Sequence, residues 1–490
     1  MKRKITLRAL LFMLGIFLGI GVQAAEKIGT KAVNNIGTTI VGELKFDLFD
    51  NGTASVYANT DSITVDPLEI PAKVSYNNTD YSVTKIKDEA FSFNKKIASV
   101  IVPNSVTNIG KQAFSNCYTI TSITLPNSVT KIGEQAFASC NKLKSITIPE
   151  NVTEIDRLTF YGCASLTSIT IPSNITAIGE RAFQNCTNLT NIVIPDKVIR
   201  IDDGAFDYCT HLTSVTIGSG TAKISTTAFS KCSKLNVINV SEENQKFASV
   251  DGVLYDKAKT TLIKFPIGKS TNYTIPANTS VIGDYAFALN ESLVSVTLPN
   301  SVTKIGNSGF SGCSNLASIT LSDNLTTLEY GVFQNCGKLS SITLPASVTD
   351  IGNYAFLNCT GLERVYSLNT FPPYCGTNCF LDFERQISLQ FILFIPYDST
   401  PDYQLANGWH NIVDMREFDG TSISDISNEG IKIYASSNKI VLENIPEGET
   451  VSICNLAGAT VYQGIDTEIM LNSGIYLVKA GNTIRKVTVR

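Results

Sequence analysis

The stretch IGEQAFASCNKLKSITIP (Ile132–Pro149) decides the fold. Ile132 and Phe137 lie five apart around Gly133-Glu134-Gln135-Ala136, which predicts a short helical or 3₁₀ turn. Leu143, Ile146 and Ile148 follow the spacing L-x-x-L-x-L. Ser145 and Thr147 alternate with Ile146 and Ile148, so this segment reads as a strand with one buried face. Pro149 lacks a backbone donor and ends the strand.

The same unit recurs. Phenylalanines stand at Phe91, Phe114, Phe137, Phe160, Phe183, Phe206 and Phe229, each 23 residues after the last, and again at Phe287, Phe310, Phe333 and Phe356. A fixed period in the 20–29 range is the mark of a leucine-rich solenoid. The strand recurs as Ile123/Leu125, Ile169/Ile171, Ile192/Ile194, Val296/Leu298, Ile319/Leu321 and Ile342/Leu344. Stacked coils then form a parallel β-sheet with short helical turns, and eleven coils at the strand spacing span roughly 50 Å. A single coil cannot bury its own apolar side, so stability comes from its neighbours.

Nine of the twelve cysteines occupy one place in the unit: Cys117, Cys140, Cys163, Cys186, Cys209, Cys232, Cys313, Cys336 and Cys359. Asn94 and Asn290 take that place in two other units. This position points into the coil and can serve buried backbone groups. Buried thiols, scattered disulfides and a metal ladder are the alternatives. An odd number cannot pair fully, and a structural metal wants four convergent ligands. Cys375 and Cys379, in PPYCGTNCF, lie outside the ladder and could form a local disulfide or remain two thiols.

The unit I-G-x-x-A-F-x-x-C-x-x-L-x-S-I-T-I-P resembles the BspA-like leucine-rich repeat family of bacterial surface proteins, over about residues 80–370. That resemblance implies an extracellular solenoid with adhesive or recognition roles. Some units depart from it: Asp156 and Asp202 replace the glycine of Gly110, Gly133 and Gly179, and Gly218 and Ser322 replace the proline.

Outside the repeat, residues 1–24 read as a signal peptide. Lys2, Arg3, Lys4 and Arg8 precede an apolar stretch too short to span a bilayer, with cleavage at Ala24 or Ala25. Residues 26–80 read as an N-terminal β cap, because FDLFDNGTASVYA (46–58) carries a hairpin turn at Asp50-Asn51-Gly52. The solenoid is placed at 81–370. Between Phe229 and Phe287 the step is 58 residues, 35 more than one coil. The extra segment, about 241–275, holds FASVDGVLYDKAKTTLIKFP and reads as a β-hairpin island projecting from the stack. Residues 371–420 read as a C-terminal cap and 421–430 as a linker. Residues 431–490 carry short, regularly spaced strands, which predict a small β-sandwich. VSICNLAGATVY (451–462) and SGIYLVKAGNTIRKVTVR (473–490) resemble the C-terminal sorting domain of the type IX secretion system. This implies that residues 421–490 engage that machinery, and that the chain is secreted or held on the outer surface of a Gram-negative bacterium.

The chemistry is sparse. Only His211 and His410 are present, so the usual general base and commonest metal ligand are nearly absent. No H-E-x-x-H, P-loop, G-x-S-x-G or paired zinc C-x-x-C occurs, and no catalytic, cofactor-binding or metal residue is assigned. Net charge is −4, without the basic footprint of a nucleic-acid binder. No later stretch is apolar enough to span a membrane.

The outward strand positions supply the candidate ligand face. One column holds Ser122, Ser145, Ser168, Ser214, Ser295, Ser318 and Ser341, and the other Thr124, Thr147, Thr170, Thr216, Thr297, Thr320 and Thr343. Threonine suits a strand and keeps it soluble, or the columns contact a ligand. Interface anchors favour Trp, Tyr and Arg, which would have to come from beside the columns, as at Tyr118, Lys142 or His211. The expected function is a non-enzymatic surface adhesin for an extracellular or host protein. A glycan or mucin capture protein is the second reading, and an exported hydrolase working through carboxylates the third.

Overall fold

The computed structural model describes residues 33–59, 63–269, 271–418 and 432–489 apart from 437–438, 444, 446–449, 456–458 and 481–482. The segment expected to be a signal peptide, with Ala24 and Ala25, and the expected linker at 421–430 lie outside the described residues.

The chain winds as a parallel β-solenoid with about 23 residues per coil, and each coil has three segments. The predicted strand is there: Ser122–Thr124 pairs in parallel with Ser99–Ile101 and with Ser145–Ile146, serine opposite serine. A second two-residue strand, not foreseen from the sequence, follows on the next side. Asn108–Ile109 pairs with Lys131–Ile132, and Glu154–Ile155, Ala177–Ile178, Arg200–Ile201 and Lys223–Ile224 continue the series. Each such strand contributes a single isoleucine to the interior, Ile224 only half-buried, which is too little for periodicity to reveal.

The third segment corrects the expected helical turn. Around Phe137 the chain makes successive reverse turns, with Gln135 at φ +57° and Ser139 at φ +59°. A left-handed residue every four positions forbids a continuing α or 3₁₀ helix. The N–H groups alternate in their use. Those of Ala136, Ala138 and Cys140 close local turns onto Gly133, Gln135 and Phe137. Those of Gln135, Phe137 and Ser139 donate to the carbonyls of Arg157, Thr159 and Tyr161 in the next coil, at 3.0, 3.0 and 2.6 Å. The turn side is thus a backbone ladder between coils. The one α-helix among the described residues is Thr400–Leu405.

Inside the coils the phenylalanines stack. Rings from Phe91 to Phe229 lie 5.2–5.7 Å apart at small interplanar angles. A second run joins Phe265, Phe287, Phe310, Phe333, Phe356 and Phe380 at 4.7–5.7 Å. Phe265 and Phe380 escape a strict 23-residue spacing. All nine ladder cysteines are buried and free, and each thiol donates to the carbonyl of a phenylalanine one coil earlier, at 3.0–3.2 Å. Asn94 and Asn290 instead accept the N–H groups two and three residues on. Asp382 does the same for Glu384 and Arg385 and extends the ladder by a third residue type. Burial pushes the Cys117 and Cys163 thiols up to about 12, so they stay protonated and inert.

At the N-terminal end, Asn35–Val41, Leu44–Phe49 and Thr53–Ala58 form an antiparallel meander. Its last strand runs parallel to Thr79–Ile86, which pairs with Asn108–Ile109 and so starts the second strand column. Gly52, at φ +78°, makes the expected tight turn.

The island does not project. Phe247–Val250, Val253–Asp256 and Thr261–Lys264 form another antiparallel meander, turning at Asp251 (φ +49°) and Gly252 (φ +74°). Thr261–Lys264 then runs parallel to Val281–Ile282 and starts the second strand column of the following coils. Val253, Leu254 and Tyr255 are wholly buried. Leu254 packs in the core of the first tract, while Val253 and Tyr255 pack in that of the second. Alternation along a strand sends neighbours to opposite faces, and here both faces are covered, so the turn at Asp251-Gly252 belongs to a buried meander rather than to a projecting hairpin.

After Cys359 the stack runs on with one longer coil, between Arg364 and Ile392. Ser341–Leu344, Arg364–Ser367, Ile392–Pro396 and Met415–Phe418 pair in parallel. Cys375 and Cys379 are buried free thiols, so the disulfide left open by the sequence is not formed; both fill the core beside Phe380. Residues 432–489 form a three-stranded and a four-stranded sheet around one core that includes Ile440, Val451, Ile453 and Val478.

Candidate functional site

Stacking places the outward residues of the first strand in register. Ile101 stands beside Thr124; Asn191, Ser214 and Val237 form one row, and Val193, Thr216 and Asn239 the next. Asn272, Ser295 and Ser318 align, as do Thr274, Thr297 and Thr320. Ser122, Thr124, Ser145, Thr147, Thr216, Thr297 and Thr320 are exposed or half-exposed. Among the described residues, the hydroxyls of these threonines make no intramolecular hydrogen bond, which leaves their donors and acceptors to water or a ligand. Ser295 is engaged: its hydroxyl donates to Asn272 Oδ1 at 2.7 Å.

The columns are neither continuous nor purely hydroxylic. Ser168 and Thr170 are exposed but lie in a coil without regular strand pairing, so the sheet is divided there. Asn191 and Asn239 interrupt the hydroxyls, and apolar residues also stand in the rows: Ile101 (44% exposed), Val193 (61%) and the half-buried Val237. Neither Ile101 nor Val193 stands in the serine and threonine columns read from the sequence, because their coils carry an apolar residue where the others carry threonine. At the far end the face closes. Ser341 is buried and Thr343 half-buried, which removes Ser341 from the candidate ligand face. The reason is the next coil, where Arg364 and Tyr366 align with Ser341 and Thr343. Tyr366 stacks on Phe394 at 4.6 Å and meets Phe418 edge-on, an aromatic group that covers this end.

Of the flanking residues, Tyr118 is exposed and donates to Asn116 Oδ1 at 2.9 Å. Lys142 is exposed. The exposed His211 ring holds Nδ1 2.8 Å from the Thr187 carbonyl.

The turn side carries a different surface. Lys111, Glu134, Arg157 and Glu180 form a chain of ion pairs across successive coils, at 3.1, 2.7 and 3.4 Å. Burial pulls the Glu134 carboxyl up, but the Arg157 and Lys111 contacts more than offset it and hold it below the usual range. These charges are internally satisfied, whereas the hydroxyls of Thr124, Thr147, Thr216, Thr297 and Thr320 are not. Among the described residues no group of three or more His, Cys, Asp or Glu side chains converges as a metal site. No helix among them is long and apolar enough to cross a membrane.

With this geometry in hand, the comparisons with known proteins agree on the repeat. The BspA-type leucine-rich repeat region matches residues 72–187, 153–266 and 264–385. A leucine-rich cell surface protein of Faecalibacterium prausnitzii is 30% identical, covering 80% of this chain and 97% of its own, with a TM-score of 0.60. The pneumococcal vaccine antigen PcpA shares the fold at 20% identity and a TM-score of 0.55, over 77% of this chain and 98% of its own. No curated protein matches. In period, in residue pattern and in three-dimensional stacking, the chain belongs to the BspA-type leucine-rich repeat family.

Proposed function

We propose that the protein is an exported, non-enzymatic recognition protein of the bacterial surface, which binds an extracellular or host protein through the outer strand face. The observation that carries this reading is the contrast between the two long faces. The chain of Lys111, Glu134, Arg157 and Glu180 on the turn face spends its charges on itself, while the strand face presents aligned threonine hydroxyls that make no hydrogen bond among the described residues, with Ile101 and Val193 standing among them. Exposed apolar side chains among uncharged polar ones favour a protein surface as ligand. Avidity along the rows offsets weak single contacts. The cell-surface description of the Faecalibacterium relative supports the location.

The second reading, glycan or mucin capture on the same face, draws on the hydroxyls but lacks aromatic rings along the rows. Residues 421–490 serve, in this proposal, as a type IX sorting module that delivers the chain to the surface of a Gram-negative bacterium.

Two experiments test the proposal. Replacing Thr124, Thr147 and Thr216 together by Arg should abolish adhesion of intact cells to immobilised extracellular proteins, whereas Lys111→Ala on the turn face should not. Equal adhesion by both strains would remove the strand face from consideration. Adhesion to glycans but not proteins would favour the second reading. Protease shaving of intact cells should release repeat peptides from the wild type but not from a strain lacking residues 421–490. Equal release would refute the sorting role.

A further inference from the structure

The C-terminal coils hold a cavity of about 330 Å³, at the lower end of the ~300–1,000 Å³ range of small-molecule sites. It is lined by residues 374–381, by Ser388, and by Asn407, Gly408, His410 and Asn411. Its side chains are unlike those of the strand face. Tyr374 offers an aromatic ring that is 66% exposed. Asn378, Asn407 and Asn411 are exposed amides and Thr377 an exposed hydroxyl. None of these four side chains has a hydrogen-bond partner among the described residues. His410 completes the set. Its Nδ1 lies 3.3 Å from the Ala406 carbonyl oxygen, which orients the ring at the cavity's edge.

The site is held rigidly from behind. Trp409 is wholly buried, its ring N–H donates to the Pro373 carbonyl at 2.7 Å, and it packs against Phe380 and Tyr403. Gly408 (φ +86°) lies so close to the opposite wall that a Cβ there would sit 2.4 Å from the Cys375 Cβ. The Thr377 N–H donates to Asn353 Oδ1 at 2.7 Å. The two lips are therefore positioned before any ligand arrives, which lowers the ordering cost of binding.

We infer that this cavity binds a neutral saccharide, one or two rings of hexose or N-acetylhexosamine. The lining contains no Lys, Arg, Asp or Glu, so it does not select a charged ligand. Amides and hydroxyls both donate and accept, matching the vicinal hydroxyls of a sugar. An exposed ring beside them suits the apolar C–H face of a pyranose. The inference is independent of the role proposed for the strand face.

The test is saturation-transfer NMR on the intact chain, with glucose, galactose and N-acetylglucosamine as separate probes and glucuronate as the charged control. At least one neutral sugar should receive saturation, and glucuronate should not. Tyr374→Ala and Asn411→Asp should each weaken binding about tenfold or more. Both side chains are exposed, so thermal melting should be unchanged. Thr147→Arg, on the strand face, should leave the transfer intact. The inference fails if no neutral sugar is bound, if binding survives both cavity variants, or if Thr147→Arg alone abolishes it.

Discussion

The N-terminal meander and the meander at 247–264 have the same construction. Each is three antiparallel strands whose last member runs parallel to the strand that follows, the eight-residue Thr79–Ile86 in one case and the two-residue Val281–Ile282 in the other. They differ in what lies on their other side. The outer strand Asn35–Val41 is largely exposed, with Ile36 and Ile40 in solvent. Phe247–Val250 instead packs on the last coil of the first tract, where the Ile238 N–H donates to the Gly252 carbonyl and the Ser249 hydroxyl to the Ile238 carbonyl. A device that closes one end of a solenoid thus serves in the middle to end one tract and begin another. The comparison shows that the protein is two capped stacks in tandem, with a seam where like no longer meets like.

The seam carries the least typical chemistry of the core. Lys264 is buried, its amine donating to the Tyr285 carbonyl at 3.1 Å, and it faces Cys232, Cys313 and Asp207. Asn290 Nδ2 and Asp207 Oδ1 are buried without partners. Within each tract, by contrast, phenylalanine meets phenylalanine and thiol meets carbonyl.

The largest effect is expected inside a tract. Phe160→Ala removes a ring stacked on both sides and should cost about 3–5 kcal/mol in chemical denaturation. A loss below about 1 kcal/mol would mean that the stack does not hold the first tract together. Leu254→Ala comes next, at about 3 kcal/mol. Calorimetry should show that it lowers the transition of the first tract more than that of the second, because Leu254 faces the first. Equal lowering of both would mean that the seam does not separate the tracts.

Lys264→Met sharpens the comparison through pH. Burial lowers the Lys264 amine to about 8. Below that pH the amine is charged in both folded and unfolded states, and the cost of burying the charge is felt in full. Between pH 8 and about 10.4 the folded state has released a proton that the unfolded chain retains, so this group's contribution to stability improves as pH rises. The methionine variant should be more stable than wild type at pH 7 by up to about 3 kcal/mol, and the gap should shrink toward pH 10. The buried thiols act oppositely. Unfolded thiols ionise above about 8.5 while those pushed up to about 12 do not, so both proteins lose stability in that range, and only their difference isolates the lysine. A gap that does not vary with pH would contradict a buried amine at the seam. The smallest effect belongs to the strand face, where Ser145→Ala and Thr147→Ala should change stability by less than about 0.5 kcal/mol, since neither hydroxyl is used internally.

Much of this was legible in the sequence because repetition amplifies weak signals. One Phe and one Cys per coil, repeated, outlined the stack. What repetition did not supply was lost. The second strand shows only one apolar residue per coil. Phe265 and Phe380 stand 22 and 24 residues from their neighbours in the stack rather than 23. The meander at 247–264 is buried on both faces, so its pattern could not distinguish a seam from a surface hairpin. Ser341 carries the same motif as Ser318, and its burial depends on Arg364 and Tyr366 in the next coil. The turn residues adopt positive φ without glycine at Gln135 and Ser139, because the next coil's carbonyls over-determine them. The saccharide cavity joins Tyr374 to Asn411, a proximity that no local spacing announces.

The tandem-stack account is tested most directly by native-state hydrogen exchange on the intact chain, comparing the turn-ladder amides of Phe137 and Phe310 with the seam amides of Ile238 and Gly268. The account predicts that the seam amides exchange through a local opening of lower free energy, while both ladders exchange only on wider unfolding of their own tract. Uniform protection of all four, lost in a single step, would show one continuous stack and contradict it.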